Sequence, residues 1–150
     1  MVSPSKSIIL CLMNQANRDY FDQQVEWVLA RLPKSVLNIL GEVPLHIEDQ
    51  PSNRLRQELE IDDAETLCGC FSGVPYSEGG RYGVHAYLSA DVLMPTCITI
   101  FRRGIVAAAR KDWGKVKRSS LREQIRITIL HELAHLHGMK DDEIAAIGYG

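Results

Sequence analysis

A chain of 150 residues that is 45% hydrophobic and 24% charged has the make-up of one globular domain with its own core, not of a disordered chain. Seventeen basic and nineteen acidic residues leave a formal net charge of −2, which argues against a nucleic-acid binder of the strongly basic kind. No run approaches the roughly 20 apolar residues that cross a bilayer, so no membrane partner is expected.

The N-terminus has one lysine, Lys6, before a short apolar run from Ile8 to Met13, and no small-x-small cleavage site follows. Without an export signal the expected location is cytoplasmic, with reduced thiols. Cys11, Cys68, Cys70 and Cys97 contain no Cys-x-x-Cys spacing and read as small apolar groups. Residues 1–16 read as an N-terminal arm free to be disordered, and residues 17–150 as the domain.

Phe21, Val25, Val28, Leu29 and Leu32 form one apolar stripe of a helix that starts at Asn17 or Asp19 as its cap and breaks at Pro33. Val36 to Leu40 predicts a short second helix stopping at Gly41. Val43, Leu45 and Ile47 alternate with Pro44, His46 and Glu48, the pattern of a half-buried strand, and Pro44 places it at a sheet edge. A helical turn is expected after Ser52. Thr66 to Phe71 is a second strand, in which Gly69 marks a bulge or a close backbone contact. Residues 73–95 form a long Gly- and Tyr-rich loop, and Tyr76, Tyr82, His85 and Tyr87 within it are expected to border a functional cleft. Thr96 to Phe101 is the strongest strand, and Ile105 to Trp113 reads as a helix.

The last helix is expected to open on a capping box, Ser120 with Glu123, and to run to Gly138. It is nearly apolar all round through its middle, so it should be buried on most sides. Its end reads His131-Glu132-Leu133-Ala134-His135. On a helix, His131 and His135 project from one face a turn apart, the separation that lets two imidazoles share one zinc ion. Glu132 lies about 100° round the helix. That position reaches a water on the metal but does not bind the metal. This is the H-E-x-x-H pattern of a metal site with a general base. The competing reading is a buried helix that merely carries two histidines, but burying two imidazoles and a carboxylate without partners is costly.

A catalytic zinc takes three protein ligands. Gly138 can turn the chain back beneath the metal and deliver Asp141 as the third; Asp142 and Glu143 are the fallbacks, and His137 points elsewhere. Capping of a following helix is the competing role for Asp141. Zinc suits the two imidazoles, although manganese, cobalt or nickel would also occupy a His-His-Asp site.

With these residues in place, the sequence resembles the minimal zincin-like metallopeptidase domains, short single-domain prokaryotic proteins. Thr128 to His135, Gly138 and Asp141 to Ile144 carry the resemblance, with Leu67-Cys68-Gly69-Cys70-Phe71-Ser72-Gly73-Val74-Pro75 and Ile98 to Arg102 as further blocks. It covers about residues 17 to 147. The Met-turn of full metzincins is missing, since no methionine follows Met139.

The resemblance implies an α+β fold: a single compact zincin-like domain, a small mixed sheet packed on helices, with the active-site helix near the C-terminus. It implies one Zn2+ ion held by His131, His135 and Asp141, with Glu132 as the catalytic base. The expected function is zinc-dependent hydrolysis of peptide bonds by a metal-activated water, on a peptide or protein substrate. Tyr149 is a candidate for steadying the oxyanion. No substrate-binding residue or oligomeric state follows from the sequence. Two alternatives stay open. One is a metal-dependent endoribonuclease-like hydrolase, for which Arg110, Lys111, Lys115, Lys117, Arg118 and Arg122 would hold phosphates; a solvated linker is the plainer account of that run. The other is a non-catalytic metal-binding module.

Overall fold

The structure is a computed structural model that describes residues 7–8, 13–65, 67–73, 96–110 and 115–146. The described residues begin with a short strand β1 (Ser7–Ile8), and a helix α1 (Gln15–Leu29) comes next among them. The Asn14 side chain accepts from the Asn17 amide at 2.8 Å, so α1 starts earlier than its apolar stripe. Phe21, Val25 and Val28 are the buried part of that stripe. Pro33 ends the turn after α1 and opens α2 (Lys34–Glu42). β2 (Leu45–Glu48) points Leu45 and Ile47 inward and exposes His46 and Glu48. Ser52 caps the short α3 (Asn53–Glu58) by accepting from the Leu55 amide.

β3 (Gly69–Ser72) and β4 (Cys97–Phe101) follow, and β4 passes directly into α4 (Arg102–Ala109). β5 (Val116–Lys117) pairs antiparallel with β1. It runs without a break into α5 (Arg118–Leu136), and α6 (Asp141–Ala146) closes the described chain. The start of α5 corrects the sequence expectation. The helix begins at Arg118 with Lys117 at the cap position and no side-chain capping bond. Ser120 therefore lies inside the first turn, and Glu123 pairs with Arg126 instead.

β4 is the central strand of a mixed sheet ordered β2-β4-β3, parallel to β2 and antiparallel to β3. β2 is an edge strand, as Pro44 predicts. Gly69 pairs with Ile100 and Cys70 with Thr99 in unbroken register, so no bulge forms at Gly69. Phe71, Ile98 and Ile100 point from the sheet into a core completed by Leu121, Ile125, Ile129, Leu133 and Leu136 of α5. α5 packs against α1, α4, β3 and β4. A helix touched on so many sides needs the nearly continuous apolar surface its sequence carries. The domain is α+β: a small mixed sheet packed on helices, with the histidine-bearing helix near the C-terminus.

Arg102 locks α1 to the sheet. It is nearly buried and donates to Asp22 of α1 and to Asp49 just past β2, while Arg18 of α1 also donates to Asp49. The Arg18 guanidinium foremost, with that of Arg102, holds the Asp49 carboxyl below its usual range. Cys70 is buried and Cys68 and Cys97 half-buried, all as free thiols; burial pushes the Cys70 thiol up to about 12. Cys11 lies outside the described residues.

Among Gly41, Gly69, Gly73 and Gly104, the tightest backbone approach is at Gly104. A Cβ there would overlap the Leu67 carbonyl and come within 3.1 Å of Cys68 Cα. Neither neighbour is the flexible end of a side chain, so α4 or the segment leading into β3 would have to move. Gly104→Ala should therefore cost about 3 kcal/mol, read as a shift of the urea midpoint at unchanged slope. An unshifted midpoint would show that this approach is not tight.

Candidate metal centre

Two contacts place the end of α5 over the sheet. A Cβ at Gly69 would lie 3.0 Å from Thr128 Cγ2 and 3.2 Å from Glu132 Cγ, so the glycine lets the helix settle directly on β3. Glu132 is thereby buried to 4% exposure, beside His131 and His135 on the adjoining face. Its Oε2 has no hydrogen-bond partner among the described residues. Burial, and then the charge of Asp141, push its carboxyl up to about 8.

His135 is oriented by the backbone. Its Nδ1 lies 3.1 Å from the Met139 carbonyl oxygen, which only accepts, so Nδ1 carries the proton and Nε2 presents a lone pair. Burial, and then the neighbouring His131, hold the His135 imidazole below its ordinary value, which favours the neutral form a metal needs. His135 Nε2 faces His131 Nε2 at 3.1 Å.

The chain then reverses. Gly138 takes φ +82°, a left-handed conformation that favours glycine, and its amide donates to the His135 carbonyl. The next helix, α6, starts at Asp141. The Lys140 amide donates to Glu143 Oε2 at 2.8 Å, so Glu143 fills the capping role and Asp141 is not the cap. Asp141 Oδ1 instead sits 3.0 Å from His135 Nε2 and 3.5 Å from His131 Nε2.

Three electron-rich atoms thus converge, all within 4.8 Å of one another. Ligands of a tetrahedral zinc at 2.0–2.1 Å stand about 3.3 Å apart, a value that the separations of 3.0, 3.1 and 3.5 Å bracket. Two imidazole nitrogens and a carboxylate oxygen are a donor set suited to zinc. The buried Glu132 carboxyl fits as well, since a nearby dication favours the ionised form that burial disfavours. His137, Asp142 and Glu143 are exposed and outside this group.

The chain matches the zincin-like metallopeptidase family over residues 40–150. It belongs to that family. No curated protein matches the chain. The matched residues run from the end of α2 through α6 and leave α1 outside. Membership implies a metallopeptidase with zinc as its cofactor, in agreement with the donor set at the end of α5.

Tyr76, Tyr82, His85, Tyr87 and Tyr149 lie outside the described residues. Among those described, the basic run is not one surface: Lys115 and Lys117 are exposed, Arg110 is half-buried, and Arg122 turns onto Trp27 of α1. The Met139 carbonyl is the contact that sequence reasoning missed. A backbone acceptor has no side-chain signal, and only the turn forced by Gly138 points toward it. No helix among the described residues is long and apolar enough to cross a membrane.

Proposed function

We propose that this zincin-like protein hydrolyses peptide bonds, with one metal ion held by His131, His135 and Asp141 and with Glu132 as general base. Bound zinc would supply Lewis-acid polarisation of the scissile carbonyl and acidify a water to a pKa of about 7. Glu132 accepts a proton from the attacking water as its oxygen bonds to the carbonyl carbon. It then delivers that proton to the leaving amine nitrogen as the carbon–nitrogen bond breaks. The Met139 carbonyl keeps His135 in the one tautomer that aims Nε2 at the site. Gly69 lets β3 and α5 exclude water from the buried flank of Glu132.

The observation that carries this reading is the convergence of His131 Nε2, His135 Nε2 and Asp141 Oδ1 beside a buried carboxyl whose Oε2 has no hydrogen-bond partner among the described residues. The Asp141 side chain is 81% exposed, so the group opens to solvent on one flank. That supports a catalytic site over a closed structural one. The substrate is a peptide or protein. The free thiols of Cys68, Cys70 and Cys97 support a cytoplasmic location.

Metal analysis of the purified protein, paired with digestion of an unbiased peptide library, tests the proposal. One zinc per chain and cleavage that chelation stops and added zinc restores are expected. Cleavage that survives complete metal removal, or a metal-filled protein that cuts RNA and no peptide, would overturn it.

A further inference from the structure

At the other end of α5, nine residues and about 14 Å before His131, the helix faces α1 across a groove of about 360 Å³. Val28 and Leu32 are its buried apolar floor and Trp27 stands in its wall. The Arg31 guanidinium carbon lies 3.7 Å from the centre of the Trp27 ring and that of Arg122 lies 3.8 Å from it. Two guanidinium groups cannot share one ring face at that distance, so the indole is sandwiched and each face holds one cation.

Arg31 donates to the Trp27 carbonyl and Arg122 donates to Gln24 Oε1; neither has a carboxylate partner among the described residues. Burial and the like charges of Arg118 and Arg31 hold the Arg122 guanidinium below its ordinary value. Arg126 adds a third cation to the lining, and Glu123 is the one acid among the described lining residues. Cations gather here in a chain whose total charge is −2.

We propose that this groove binds an extended acidic segment of a partner protein, with carboxylates at alternate positions received by Arg31 and Arg122. The match is geometric and chemical. The two ring distances put the guanidinium carbons no more than about 7.5 Å apart, and residues i and i+2 of an extended chain are about 6.7 Å apart. Each guanidinium keeps several N–H donors for a carboxylate, and Trp27 fixes the plane of both. The floor of Val28 and Leu32 takes the methylene groups of a glutamate. A nucleic acid fits less well, because both faces of Trp27 are occupied and cannot stack a base. The groove is separate from the metal centre, and the proposal does not depend on peptidase activity.

Fluorescence anisotropy with the full chain tests it, using a labelled peptide of alternating Glu and Ala and its Gln-for-Glu counterpart. Saturable binding of the acidic peptide alone is expected. Arg31→Gln should weaken it at least about tenfold, Glu123→Gln should tighten it, and Glu132→Gln should leave it unchanged. Arg31 is exposed and Glu123 is on the rim, so neither change threatens the fold. The proposal is overturned by no saturable binding, by equal binding of both peptides, or by tighter Arg31-dependent binding of a labelled single-stranded RNA. It is equally overturned by self-association of the chain that Arg31→Gln abolishes, which would assign the groove to a second copy.

Discussion

Glu132→Gln is expected to lower turnover by about 10²–10⁴-fold while leaving the metal content at the wild-type level. The amide keeps the shape of the side chain in its tight place against Gly69 and Thr128, but it cannot accept and release a proton. The three converging atoms belong to other residues, so the proposed metal site stays intact. The same variant has a second signature in the metal-free protein. Because the native carboxyl is pushed up to about 8, above the ordinary glutamate value, the folded state holds this proton more tightly than the unfolded chain. Its favourable contribution is complete below the unfolded value and is lost as pH rises through about 8. Glutamine removes that dependence. Thermal melts of the two metal-free proteins should therefore agree near pH 4 and diverge toward pH 8, with the variant the more stable. Wild-type turnover in the variant would sink the assignment of Glu132 as base.

The readable parts of this fold are those where one local pattern decides the outcome. His131 and His135 share a face whenever residues 131–135 are helical, and Gly138 is the residue best able to reverse the chain after them. That places Asp141 within reach, while Asp142 and Glu143, the fallback ligands, stay outside the converging group. Ile98 and Ile100 alternate with half-buried neighbours because β4 has one face on the core. Other features depend on partners distant in the chain. β2 lies parallel to β4, a pairing of Leu45 with Ile98 that no local pattern encodes. α1 starts at Gln15 because Asn14 satisfies an amide, before the apolar stripe begins. The Ser120 and Glu123 pair has the spacing of a capping box, yet the strand Val116–Lys117 feeds straight into the helix and takes the start of α5 upstream. Arg122 reads as one member of a basic run until Trp27 of α1 is seen beneath it.

Asp141→Ala should weaken zinc binding by about 100-fold or more, beyond the loss typical of residues that only orient a ligand, while Asp142→Ala stays near wild type. Asp141 Oδ1 is 3.0 Å from His135 Nε2, and neither Asp142 nor Glu143 joins that group. A capping role for Asp141 predicts a different outcome: unchanged affinity and a loss of about 1 kcal/mol of stability. The cap is filled by Glu143, whose carboxylate receives the Lys140 amide. Glu143→Ala should therefore cost stability and spare affinity, the reverse of Asp141→Ala, which gives up no more than a carboxylate's interaction with the start of a short helix. Asp141→Asn separates the charge from the oxygen: it keeps an acceptor in place and should bind zinc more weakly than wild type but better than alanine. Calorimetric zinc titrations of the four variants, with melts of the metal-free proteins alongside, decide between the roles. Wild-type affinity in Asp141→Ala would move the third ligand elsewhere.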